Sequence, residues 1–179
     1  MTLVPARIIL CIGVASSGKT VTGNSIAKRL RVPFFDGDDY HPAANKEKMR
    51  AGIALTDDDR WPWLKGLAQA LREGADKHGL AVGACSALKR AYRDYLRAEA
   101  GEPILFVYLQ GTPELIGKRI ATRQHEYMPA SLLPSQFATL EPPGADENVL
   151  AEPVTLPVDA IVERVVEALP NLRSLPQAR

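Results

Sequence analysis

Residues 13 to 20, Gly13-Val14-Ala15-Ser16-Ser17-Gly18-Lys19-Thr20, satisfy every fixed position of the pattern G-x-x-x-x-G-K-[ST], and they restrict the possible folds more than any other stretch. Before them runs Arg7 to Ile12, apolar after its first residue; after them comes a segment of helical periodicity, Val21 to Leu30. The strand, loop and helix that this pattern needs are therefore in place. The two glycines let the backbone wrap closely, so that successive N–H groups point at phosphate oxygens, and the helix adds unpaired N–H groups and its positive dipole end. Phosphate is the expected ligand of Gly13 to Thr20, with Lys19 reaching the β- and γ-phosphates of ATP as a point charge and the Thr20 hydroxyl ligating Mg²⁺. The alternative is an ordinary glycine-rich turn with a solvated lysine, against which the flanking strand and helix argue.

A chain of 179 residues suits one domain with a substantial core and is too short for two nucleotide-binding folds. Its 22 basic and 21 acidic residues leave a net charge of +1, so neither nucleic acid nor a membrane surface is expected as partner. Cys11 and Cys85 both lie in apolar runs, where a thiol behaves as a small hydrophobe, and no disulfide framework is implied. No apolar run approaches the ~20 residues needed to span a bilayer, and no long apolar stretch follows a basic N-terminus. The expectation is a soluble, cytoplasmic protein with a small-molecule partner.

After the first helix, Val32-Pro33-Phe34-Phe35 reads as a short strand ending at Asp36-Gly37-Asp38-Asp39-Tyr40-His41. Open α/β sheets place their ligands at the carboxyl ends of strands, and three adjacent carboxylates repel one another unless a cation or a donor-rich substrate is near. A solvated turn that caps the next helix is the competing reading; beside a phosphate loop the functional one is preferred. Residues 42 to 51 suit a short helix stopped by Gly52. Thr56 or Asp57 then caps a long helix to about His78, with Trp63, Leu67, Ala70 and Leu71 at helical spacing. Asp57 to Asp59 suit a helix start and need do nothing more, whereas Arg60 beside them suits an anionic substrate group.

Leu80 to Cys85 is wholly non-polar, as expected at the centre of a parallel sheet. Lys89 and Arg93, four apart, are expected on one helix face turned either to the site or to solvent, with Tyr92 and Leu96 buried on the other. Ile104 to Leu109 is a further strand, and Thr112-Pro113-Glu114 a well-formed helix start. Arg119 and Arg123 share that helix's face and lead to a polar connection containing His125. This reads either as a mobile cover that closes over nucleotide or as an exposed connection. Residues 131 to 140 look helical, a weaker strand about Asn148 to Leu156 is limited or placed near an edge by Pro153, and the helix about Val158 to Leu169 is followed by a frayed tail. Strands alternating with helices, with the phosphate loop after the first strand, predict an α/β three-layer sandwich with a parallel sheet.

Together these motifs resemble the gluconokinases of the thermoresistant type, a family of small P-loop kinases. The likeness runs nearly end to end. Beyond the loop it covers Asp36-Gly37-Asp38-x-x-His41-Pro42 with Asn45, Lys48 and Met49, then Asp57-Asp58-Asp59-Arg60-x-Pro62-Trp63-Leu64. It continues through Cys85-Ser86-Ala87-Leu88-Lys89 with Tyr92-Arg93-Asp94, and closes with Gln136 to Glu141 and Pro143 to Glu147. The resemblance implies a P-loop NTPase fold of the nucleoside-monophosphate-kinase-like type over residues 1–179, with a lid at about 120–137. It implies ATP-dependent phosphorylation of D-gluconate to 6-phosphogluconate, with Mg²⁺, in a possible homodimer. On this reading Asp38, before Asp36, orients the acceptor hydroxyl and takes its proton, while Lys19 and Arg123 balance phosphoryl charge. Arg60, Lys89 and Arg93 are the candidates to hold the carboxylate, His41 or His125 to bond the polyol, and Arg119 to lie against adenine. Where relatives carry Ser-Gly the loop has Ala15-Ser16, both at variable positions, so phosphate binding is expected to persist while the backbone angle at Ser16 is open. A shikimate- or adenylylsulfate-type kinase and a non-enzymatic ATP-binding module are the rival readings.

Overall fold

The computed structural model describes residues 3–121 and 133–169. Five parallel strands form one sheet: β1 (Ile8–Ile12), β2 (Phe34–Asp36), β3 (Ala81–Ala84), β4 (Ile104–Gln110) and β5 (Val149–Pro153), in the order β2-β3-β1-β4-β5. From β1 the chain moves to one side for β2 and β3, then crosses to the other for β4 and β5. The carboxyl end of β1 is therefore a topological switch point, the place where such sheets open a crevice for ligands.

Alternation along β1 divides the core into two layers. Ile8, Leu10 and Ile12 meet Leu64, Leu67 and Leu71 of α3 (Asp57–His78) and Leu96 of α4 (Arg90–Ala100). Ile9 and Cys11 face Ile26 of α1 (Lys19–Leu30), Ile116 of α5 (Pro113–Ala121) and the Ile161, Val162 and Val165 stripe of α7 (Val158–Ala168). Burial on both faces explains why β1 and β4 read as continuous apolar runs rather than alternating ones. Both cysteine thiols are free and buried, and desolvation pushes each up to about 12, so they are unreactive core groups. β5 lies at the sheet's edge with Pro153 as its last residue, where a missing N–H costs no ladder bond.

Two shorter helices complete the described chain, α2 (Ala43–Arg50) and α6 (Leu133–Thr139). No helix among the described residues is long and apolar enough to cross a membrane. The centre of the expected lid and the C-terminal tail lie outside the described residues, and Arg123 and His125 with them.

Candidate active site

The phosphate loop leaves β1 through Gly13, whose φ of 142° and whose distance of 2.9 Å from a would-be Cβ to the Leu109 carbonyl oxygen exclude any side chain. It re-enters regular structure at Gly18, which precedes α1 in a left-handed conformation. Ser16 also takes a left-handed angle, φ 60°, so the loop keeps this conformation without the glycine that would make it unstrained. Lys19 Nζ donates to the Val14 carbonyl oxygen at 2.8 Å, curling the ammonium back over the loop. Desolvation lowers its pKa, and Asp38 and Asp36 oppose the shift. The backbone N–H of Ala15 donates to Gln136 Oε1 of α6 at 2.7 Å, which ties the far side of the expected lid to the loop.

The acidic stretch forms a single 3₁₀ turn, Gly37–Tyr40, at the end of β2. Gly37 is required because a Cβ there would lie 2.5 Å from the Ala84 carbonyl oxygen. Asp36 is anchored at both oxygens: one accepts from the Asp38 N–H at 3.1 Å and the other from the Thr20 hydroxyl at 2.9 Å. Asp38 lines the cavity with an exposed side chain. Desolvation, then the neighbouring Asp36 charge, raises its carboxyl above the usual range, while Lys19 pulls the other way.

α3 holds this turn in place. Trp63 Nε1 donates to the Gly37 carbonyl oxygen at 2.6 Å, and the His41 ring stacks on the Trp63 ring with centroids 3.9 Å apart. His41 is 8% exposed, its Nδ1 has no partner, and burial lowers its pKa to about 4, so it is neutral at neutral pH. α3 itself starts with a capping box in which Thr56 and Asp59 satisfy each other's backbone N–H. Lys48 of α2 pairs with Asp59 at 2.7 Å and holds its carboxyl down to about 2, and Asn45 Nδ2 donates to the Asp59 carbonyl oxygen at 2.7 Å. The Asn45 and Lys48 of the sequence motif thus fasten α2 to α3.

One cavity of about 490 Å³ joins these parts, a volume within the usual range for small-molecule sites. Lys19, Thr20, Asp36, Asp38 and His41 line it, and so do Arg60 and Lys89. Arg60 donates to the Leu55 carbonyl oxygen at 2.5 Å, and Lys89 donates to Asp57 at 3.0 Å.

Arg93 does not share a site-facing surface with Lys89. α4 begins at Arg90, which leaves Lys89 in an extended N-cap conformation outside the helical period, so four-residue spacing does not put the two side chains on one face. Arg93 is 1% exposed and bonds Glu147 at 2.6 and 2.9 Å, with its remaining donors on the Ala87 and Leu88 carbonyl oxygens. It has no place in the cavity lining. Arg119 also lies away from this cavity, donating to the Val154 carbonyl oxygen beyond β5 at 2.6 Å.

Sequence reasoning assigned Tyr92 to the core and Asp57 to a helix start. Tyr92 is indeed 2% exposed, but its hydroxyl donates to Asp57 at 2.5 Å on the cavity wall. Tyrosine beside lysine in the Lys89 stretch carried a signal, since a buried phenol needs a polar partner. Gln136 was visible within its motif, but without a role until its contact with Ala15 placed it.

A phosphate loop at the switch point of a parallel sheet, with a carboxylate and cations lining the same cavity, defines a P-loop kinase. The family model described as shikimate kinase matches residues 15–136. The gluconokinase of Gluconobacter oxydans is 43% identical over 160 residues, covering 89% of each chain, and the thermoresistant gluconokinase of Escherichia coli is 38% identical over 164, covering 91% of this chain and 93% of that one. The crystal structure of a gluconokinase from Sinorhizobium meliloti superposes with a TM-score of 0.78 at 40% identity, covering 98% of this chain and 95% of that one. The chain belongs to the shikimate-kinase-type family of small P-loop kinases and, within it, to the gluconokinases.

Proposed function

We propose that this chain, as a single catalytic domain, transfers the γ-phosphoryl group of ATP to the terminal hydroxyl of D-gluconate, giving ADP and 6-phosphogluconate. The observation that carries this reading is the shared cavity, which the phosphate loop and Asp38 line together with Arg60 and Lys89. A sugar acid offers a hydroxyl to the first pair and a carboxylate to the second.

In the reaction the acceptor oxygen bonds the γ-phosphorus as the bridging bond to ADP breaks, and the hydroxyl proton passes to Asp38. A loose transition state asks mainly for positioning and charge stabilisation. Asp38 suits the base role because its raised pKa brings it closer to working pH, whereas Asp36 is held by the Thr20 hydroxyl and the Asp38 N–H beside the expected metal position. The loop from Gly13 to Thr20 binds the phosphates, and Lys19 stabilises charge on the moving group, joined by Arg123. Arg60 and Lys89 hold the carboxylate. The unpartnered Nδ1 of neutral His41 suits a polyol hydroxyl, with His125 as a second candidate, and Arg119 is assigned to adenine. Thr20 and Asp36 set hard oxygen donors side by side, which fits Mg²⁺. These two residues would hold the ion, and when bound it neutralises phosphate charge. The same reading takes the enzyme as a cytoplasmic homodimer, to be checked by fractionation and sedimentation.

Coupled ADP release with gluconate, shikimate, adenylylsulfate and other sugar acids tests the assignment. Release that depends on gluconate and exceeds that with the other acceptors is expected; ATP binding without it would overturn the reading.

A further inference from the structure

On the acceptor wall, several donors converge on a side chain for which the proposed reaction has no task. The Asp57 carboxylate lies 3.0 and 3.1 Å from Lys89 Nζ, 2.5 Å from the Tyr92 hydroxyl and 3.7 Å from the Arg60 guanidinium. Both cations also stand 5.4 Å from the centroid of the Tyr92 ring, so one buried aromatic stations them together. Two cations and a phenol around a point form a donor set that recognises a carboxylate. Here the chain's own carboxylate occupies it.

Asp57 is not required where it stands to start α3, because Thr56 and Asp59 perform the capping between them. Its side chain remains 47% exposed on the cavity surface. Partly exposed ion pairs of this kind are weak enough to exchange. With Asp57 in place the cradle of Lys89, Arg60 and Asp57 has one positive charge in excess, which attracts a second carboxylate but offers little to an uncharged ligand.

We propose that Asp57 is an internal stand-in for the substrate carboxylate, filling the Lys89–Tyr92–Arg60 cradle and competing with the incoming acid. The inference rests on gluconate being the acceptor. An acid replaces one carboxylate by another and regains the charge-assisted bonds. A neutral polyol gains no such bonds from the cradle and leaves Asp57 in place, so the competition acts on acids alone.

The test compares wild type with Asp57→Asn, measuring the gluconate Kd by calorimetry and the inhibition constant of D-glucitol, which has a hydroxymethyl group in place of the carboxylate. Removing the competitor is expected to tighten gluconate about three- to fivefold, the scale of a partly exposed charge pair, and to leave D-glucitol unchanged. In the double variant with Lys89→Gln most of that gain should vanish. Unchanged or weaker gluconate binding by folded Asp57→Asn, or equal tightening of D-glucitol, overturns the proposal. If the asparagine variant does not fold, Asp57→Ser, another residue suited to a helix start, gives the same comparison. Wild-type turnover is read separately: no gluconate-dependent ADP release would refute the acceptor, whereas normal turnover with an unaltered Kd in the variant would refute only the role of Asp57.

Discussion

Asp38 and Ser16 show how a single residue's surroundings set measurable behaviour. A general base works ionised, so activity is present above its pKa and lost as pH falls through it. The raised pKa of Asp38 therefore moves the acid limb of the kcat/KM profile above the ordinary carboxylate range near ~4. Asp38→Asn is expected to lower kcat by about a hundredfold or more while leaving the fold intact, as read by coupled ADP release. Near-normal turnover would remove Asp38 from the mechanism. Ser16 keeps a φ of 60°, a conformation that costs an L-residue about 1–2 kcal/mol, whereas glycine there loses about 0.5–1 kcal/mol in chain entropy. Ser16→Gly should accordingly raise stability by up to about 1 kcal/mol in denaturant unfolding, and a clear loss would show that the serine side chain outweighs its strain. At this scale the phosphate-loop residues were legible, because their pattern reflects close backbone approach to phosphate. Asp57 and Tyr92 were not, because their meeting joins the start of one helix to the first turn of another 35 positions later.

The elements themselves followed closely from apolar periodicity and caps. Thr56 and Thr112 mark helix starts, the latter with its hydroxyl accepting from the Leu115 N–H at 3.3 Å, and Pro153 marks the strand edge. What periodicity misjudged was where α4 begins, and with it the partner of Arg93. Segment 141–147 is fastened to the start of α4: the Glu141 N–H donates to the Leu88 carbonyl oxygen at 2.9 Å, the Arg90 N–H to Glu141 at 2.7 Å, and the Arg90 guanidinium pairs with Asp146 at 2.6 Å. The buried Arg93–Glu147 pair is the core of that joint, both side chains being 1% exposed or less. Glu147→Gln leaves the Arg93 charge without a countercharge in the interior, a change expected to cost about 3 kcal/mol in denaturant unfolding. A destabilisation below about 1 kcal/mol would mean that water reaches the guanidinium.

For the whole molecule, the two halves of the site belong to different parts of the sheet, so ligands of each half should stabilise the fold separately. A ligand at about a hundred times its Kd adds roughly 2.7 kcal/mol, visible as a rise in Tm. ATP with Mg²⁺ and gluconate are each expected to raise the Tm, and Lys19→Met should remove most of the ATP shift while preserving that from gluconate. Loss of both shifts together would argue against separable halves. The sequence by itself determined the donor loop, the strands and most helices, because local patterns of apolar, glycine and capping residues answer to local backbone physics. Only the tertiary structure decided which charges share the cavity. It set Asp38, Arg60 and Lys89 around one space, drew Arg93 into the interior against Glu147, and brought Asp57 to Tyr92. Those outcomes depend on strand order and on where each helix starts, and long-range packing sets both.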